Sequence, residues 1–68
     1  MSKDEIIAAL REERRWLGEK ARHHHERYAA LEGAGSAYQA TDHHAKKIAY
    51  MVAWDRLDAL LQRAERGA

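Results

Sequence analysis

Histidine is the residue type in this sequence that can take part in the widest range of chemistry. The 68-residue chain contains five histidines, in the segments ARHHHER (21–27) and TDHHAKK (41–47). Imidazole nitrogens bind Zn²⁺, Cu²⁺ or Ni²⁺, and a histidine can also change its charge close to neutral pH. The sequence contains no cysteine, which excludes disulfides and thiolate metal sites for this chain.

The spacing of the histidines does not build a metal site on a single helix. Consecutive helical residues point about 100° apart, so His23, His24 and His25 cannot converge on one ion. No two histidines have the i, i+4 spacing that chelates a metal along one helix face. A metal site therefore has to combine histidines from two helices.

Local signals predict a long first helix. Ser2 and Glu5 form a capping box directly before the first apolar residues. Residues that are apolar except for Arg14 and His24 then recur at intervals of three and four, as on one face of a helix. We call this row the helix-1 stripe; it consists of Ile7, Leu10, Arg14, Leu17, Ala21, His24, Tyr28 and Leu31. Gly33 is expected to end the helix in a left-handed conformation, which gives bounds of about 3–32.

A second helix is predicted after a short turn. Ser36 and Gln39 repeat the capping signature and predict a helix over about 36–66, following a turn at 33–35. Thr41 is an alternative start, which would leave a longer loop. Two long helices joined by a short turn predict an all-α antiparallel helical hairpin that forms a single domain.

The position of the turn predicts which residues face each other. A turn centred between Ala34 and Gly35 pairs residues whose numbers sum to about 69. The helix-1 stripe then faces a row that we call stripe A: Tyr38, Thr41, Ala45, Ile48, Val52, Asp55, Ala59 and Gln62. Arg14 falls opposite Asp55, and we predict an ion pair between them that sets the register.

The second helix carries another apolar row, rotated away from stripe A. We call it stripe B: Tyr50, Trp54, Leu57, Leu61 and Ala64. A helix that is apolar on two faces needs two partners, so we expect two hairpins to form a homodimeric four-helix bundle with coiled-coil packing; a higher oligomer is the alternative. The predicted oligomer or partner interface consists of Ile6, Trp16, Tyr50, Met51, Trp54, Leu57 and Leu61.

In this arrangement the two groups of histidines lie at one level of the hairpin. His24 belongs to the helix-1 stripe and His44 lies at the edge of stripe A. With His25 or His43 assisting, two chains would supply enough nitrogens for Zn²⁺, Ni²⁺ or Cu²⁺. In an alternative interpretation, His24 and His44 hydrogen-bond each other or a neighbouring hydroxyl and bind no metal. A third is a pH response, because buried histidines that protonate near pH 6 would loosen the bundle.

The charged residues restrict the remaining functional classes. The net charge is +1, with 12 basic and 11 acidic residues, which argues against nucleic-acid binding. Glutamates alternate with the cations at helical spacing, so most of this surface neutralises itself. An alternative is that a small anion or nucleotide is held at the oligomer interface by Lys20, Arg27, Lys46 and Lys47. We identify no catalytic residues and expect no enzyme, because nucleophile–base, di-iron and phosphate-loop motifs are absent from the sequence.

Apolar segments are too short to suggest a membrane protein. The longest, 6–10 and 49–54, fall far short of the roughly 20 residues of a membrane span. We expect no secretory signal and a cytoplasmic location. The leading functional hypothesis is a non-enzymatic interaction module (an adaptor, assembly factor or inhibitor) that binds a larger protein partner through its helix faces. A metal-binding bundle and sequestration of a small anion are the alternatives.

Overall fold

Two antiparallel helices packed against each other form the hairpin. A computed structural model describes residues 1–67, in which helix α1 spans Lys3–Gly33 and helix α2 spans Ala37–Gly67. The hairpin is elongated, with extents of 49 × 16 × 13 Å. Both helices begin and end within one residue of the bounds predicted from the sequence. Neither of them contains an apolar segment long enough to cross a membrane.

Helix α1 begins at the predicted cap. The Ser2 hydroxyl accepts a hydrogen bond from the Glu5 amide at 3.2 Å and lies 3.2 Å from the Glu5 carboxylate, to which it donates. Asp4 and Glu5 also place negative charge in the first turn, where the exposed amides of the helix favour it. Ser2 therefore occupies the N-cap position that the capping signature predicts.

The turn lies one residue later than the sequence predicts. Gly33 is the last helical residue of α1, and Gly35, with φ of +80°, adopts the left-handed conformation instead. The Gly35 amide donates to the Glu32 carbonyl at 3.1 Å, and the Ser36 amide donates to the Leu31 carbonyl at 2.9 Å. These two bonds are those of a Schellman motif whose left-handed residue is Gly35. The prediction that Gly33 adopts the left-handed conformation after the helix is therefore wrong.

Replacing each of these two glycines with alanine is expected to have opposite effects. Gly33→Ala should raise the free energy of unfolding by about 0.5–1 kcal/mol, since alanine favours the helix. A Cβ at this position meets no atom within 4 Å. Gly35→Ala should lower the free energy by about 1–2 kcal/mol, the cost of a left-handed L residue. Urea denaturation measures both changes, and effects of the same sign would contradict this turn.

The face of α2 that packs on α1 is stripe B, not stripe A. Every member of the helix-1 stripe is buried or half-buried, as predicted. All of stripe A is exposed, however, including Tyr38 at 90% and Val52 at 45%. Stripe B is buried or half-buried, and its member Leu61 is 0% exposed. Towards the turn, the same inward row continues through Ala40, His43 and Lys47.

The later turn explains this correction. A turn centre about one residue later moves the inward row of α2 two places along the chain, from stripe A to Ala40, His43 and Lys47 followed by stripe B. Two residues correspond to a rotation of about 200° around a helix. Stripe A consequently turns to solvent. Gly18 accommodates the new neighbour, because a Cβ there would lie only 3.2 Å from the Trp54 indole nitrogen.

Arg14 forms an ion pair across the hairpin, but with a different carboxylate from the predicted one. Arg14 Nη1 contacts Asp58 Oδ1, whereas Asp55 is exposed. Asp58 also accepts a hydrogen bond from Gln62 Nε2 at 2.8 Å. The cation of the helix-1 stripe is therefore paired across the hairpin, but with the carboxylate one turn further along α2 than predicted.

Candidate functional site

Two histidines meet across the hairpin in the half nearer the turn. The Nδ1 atoms of His24 and His43 lie 2.8 Å apart, which is a hydrogen-bond distance, and their ring centroids are 5.1 Å apart. Both side chains are half-buried. His24 faces inward as predicted, but its partner is His43 and not the predicted His44. His43 takes that place because the rotation of α2 brings it into the inward row.

Aromatic rings surround this histidine pair. The Tyr50 ring stacks on His24 with a centroid distance of 5.6 Å and an interplanar angle of 6°. Trp16 packs edge-on against Tyr50 at 5.8 Å, and His23 packs edge-on against His24 at 5.1 Å. His24 thus lies between Tyr50 of the core and His43, and this packing fixes the orientation of its ring.

The surroundings of the pair disfavour additional positive charge. Burial lowers the pKa of His24, and the positive charges of neighbouring histidines and of Lys46 and Lys20 lower this pKa further. The carboxylate of Asp42 is close by, but it is paired with Lys46 at 3.0 Å. That lysine also lowers the pKa of Asp42. The local field therefore favours the neutral form of His24.

The four predicted metal ligands are only partly brought together. His24 and His43 are in contact, whereas His25 and His44 are exposed. Within the described residues, no group of three or more histidine, aspartate or glutamate side chains converges on a position where an ion could bind. A pair that hydrogen-bonds to itself near two lysines is a poor binding site for a dication. Zinc, nickel or copper binding stays a prediction without support from this geometry.

The four predicted anion-binding residues have different surroundings. Lys46 is paired with Asp42, and the Lys20 ammonium lies over the Trp16 ring, 5.5 Å from its centroid. Arg27 borders an open groove of about 580 Å³ beside the turn, which Asp42 also lines. Lys47 is half-buried in the inward row of α2. These contacts do not form a common cationic pocket for a small anion or nucleotide.

The residues of the predicted interface fall into two groups in the structure, four in the hairpin interior and three exposed. Leu61 is fully buried within the hairpin, and Tyr50, Trp54 and Leu57 are half-buried in the same row against α1. These four residues belong to the hairpin interior, which corrects their assignment to an oligomer interface. The other three are exposed, at 44–46%: Ile6, Trp16 and Met51.

A row of exposed apolar residues, interrupted by Asp55, lies on the opposite side of α2. We call it the α2 outer face; it consists of the apolar stripe A members Ala45, Ile48, Val52 and Ala59, with Met51 and Leu60 at its edges. The large side chains of this face are 45–57% exposed. The exposed side of α1 carries ion pairs instead: Arg15–Glu12, Arg15–Glu19 and Arg22–Glu26. The two outer sides of the hairpin therefore differ in chemical character.

No protein-family model, curated protein or solved structure matches this chain. Similarity to other proteins therefore assigns no function to it. Its own structure has two distinctive features, which are the contact between His24 and His43 and the α2 outer face.

Proposed function

We propose that this chain is a non-enzymatic, self-associating interaction module. A second copy of the hairpin covers the α2 outer face, and the two copies form a four-helix bundle. The observation that carries the proposal is the row of large apolar side chains on that face, each 45–57% exposed, including Ile48 and Val52. Contiguous exposed apolar surface of this kind marks interaction sites on soluble proteins.

The size of the exposed surface fits a second copy of the chain. The hairpin has an accessible surface of 5108 Å². The relation between mass and surface for compact monomers gives about 4,400 Å² for a chain of 7.8 kDa. The excess of roughly 700 Å² reflects the elongated shape of the hairpin as a whole, and it is of the same order as the ~800 Å² that each partner buries in a standard interface.

The small core of the isolated hairpin supports the same proposal. In the described part of the chain, the buried side chains are Ala21, Ala40 and Leu61, and two of these are alanines. Small domains without disulfides commonly obtain the missing stability from a metal or from oligomerisation. In the bundle, Ile48 and Val52 of one copy would pack against small residues of the other.

The residues around the α2 outer face are compatible with an interface. Asp55 and Gln62 are exposed members of stripe A and would lie at the polar rim. Ala45 and Ala59 leave room for the larger side chains of the facing helix, as helix packing in bundles requires. A role as an adaptor, assembly factor or inhibitor would then belong to the dimer.

Introducing a charge into this face should separate the two copies. We expect the wild-type chain to sediment with twice the mass of one chain and Val52→Glu to weaken self-association by at least about tenfold. Burying an unpaired carboxylate costs more than the roughly 1.4 kcal/mol that corresponds to this factor. Analytical ultracentrifugation over a concentration series measures the effect. The matched control is Ile6→Glu, because both side chains are 45% exposed in the hairpin.

The possible results distinguish the proposal from its competitors. A wild-type chain that stays monomeric at the highest soluble concentration would contradict it. Dissociation by Ile6→Glu but not by Val52→Glu would move the interface to the surface that includes Ile6 and Trp16. A wild-type monomer that forms a stable complex with another protein, lost in Val52→Glu, would replace the second copy with a larger partner.

A further inference from the structure

The contact between two imidazole nitrogens restricts how many protons the pair can hold. A hydrogen bond between His24 Nδ1 and His43 Nδ1, which lie 2.8 Å apart, needs one nitrogen to donate and the other to accept. Two neutral rings satisfy this requirement when they are opposite tautomers. A pair with one additional proton also satisfies it, because one Nδ1 lone pair remains. When both rings are protonated, two N–H groups point at each other and the contact is lost.

We propose that the His24–His43 pair is a proton-sensitive clasp that joins α1 to α2 near the turn and opens on acidification. The clasp is an interhelical side-chain hydrogen bond of the half-buried region. Its opening would separate the helices at the level of these residues and remove the stacking of His24 on Tyr50. The proposal does not depend on self-association, since both histidines belong to one chain.

Charged and titratable groups on both helices surround the clasp. On α1 these groups are Lys20, His23 and Arg27, and on α2 they are Asp42, Lys46, Lys47 and Tyr50. Asp42 is the one carboxylate in this group; it is paired with Lys46 at 3.0 Å, and the charges of Lys46, His43 and His24 all lower its pKa. The other charged groups are cations. A second proton on the pair would therefore meet repulsion from both helices.

The direction of the pH dependence follows from His24. Burial, with further positive charge nearby, holds the pKa of His24 below its ordinary value of 6.5 in the folded hairpin. The unfolded chain therefore binds more protons than the folded chain in this pH range. The contribution of His24 to the free energy of unfolding is fully present above pH 6.5. It decreases as the pH falls through this value towards the pKa of His24 in the folded chain.

Unfolding by urea at about pH 7.5 and about pH 5 tests the clasp. For the wild type, we expect the folding equilibrium constant to fall roughly three- to tenfold at the lower pH, the change that corresponds to one lost hydrogen bond. His43→Gln should reduce this fall, because an amide oxygen can accept from neutral or protonated His24 and the charge of His43 no longer lowers the pKa of His24, whereas burial still lowers it. His25→Gln is the matched control and should retain the wild-type fall, since His25 is exposed.

A second measurement does not require any variant to fold. Long-range ¹H–¹⁵N spectra of the wild type at about pH 7.5 report the tautomer of each ring, and we expect opposite Nδ1 protonation for His24 and His43. The same tautomer in both rings would overturn the proposal. So would an equal fall of the equilibrium constant in wild type and His43→Gln, or the loss of that fall in His25→Gln.

Discussion

Leu61→Ala is expected to lower the free energy of unfolding by about 3 kcal/mol, within the range of about 2–5 kcal/mol for leucine-to-alanine changes in cores. Leu61 is the one large side chain among residues 1–66 that is fully buried, at 0% exposure. Removing it leaves a cavity between α1 and α2 that neighbouring side chains can only partly fill. Domains of this size rarely exceed about 3–5 kcal/mol of stability, so the variant should be largely unfolded at 25 °C.

The adjacent leucine provides the control for this prediction. Leu60 is 57% exposed, and Leu60→Ala should change the free energy by no more than about 0.5 kcal/mol. Both variants are compared by urea denaturation, or by helical circular dichroism where Leu61→Ala does not fold. The measurement is made at low protein concentration, since Leu60 borders the α2 outer face. Equal effects of the two changes would contradict the packing of stripe B on α1.

Asp58→Ala is expected to lower the free energy of unfolding by about 2 kcal/mol, the usual range for lost hydrogen bonds to charged groups. Asp58 binds Arg14 and Gln62, and the side chains of Arg14 and Asp58 are only 29% and 22% exposed. The variant leaves the Arg14 guanidinium half-buried without its carboxylate. Asp55→Ala should have an effect within about 0.5 kcal/mol, because Asp55 is exposed.

A double-mutant cycle distinguishes the two possible pairs. Asp58→Ala combined with Arg14→Ala should show a coupling energy of about 1 kcal/mol or more. Asp55→Ala combined with Arg14→Ala should show almost no coupling energy. Added salt should reduce the coupling at Asp58, since part of the contact is accessible to solvent. Coupling at Asp55 instead would support the register that the sequence pattern predicts.

Interactions between residues close in the chain made the helices predictable. The Ser2–Glu5 signature places the start of α1, and the intervals of three and four identify its inward stripe. The sequence did not show which of two glycines would end α1. Gly33 and Gly35 are both close to the end of the heptad pattern, and either can adopt a left-handed conformation.

The charge match between Arg14 and Asp55 was not specific enough to determine the register. Asp58 follows Asp55 by three residues and offers the same chemistry one turn later. Each register therefore pairs the cation of α1 with a carboxylate of α2, so the charge pattern alone does not distinguish them. The same ambiguity applies to the histidines, because His43 and His44 are adjacent in sequence.

Helix formation depends on neighbours within about four residues, so the sequence alone established two helices, their approximate ends and the inward face of α1. The inward face of α2 depends on contacts between residues far apart in the chain, such as Trp54 against Gly18 and Asp58 with Arg14. Because two residues rotate a helix by about 200°, the position of one turn decides which apolar row is buried. It decides equally that His43 contacts His24 and that Ile48 and Val52 are exposed.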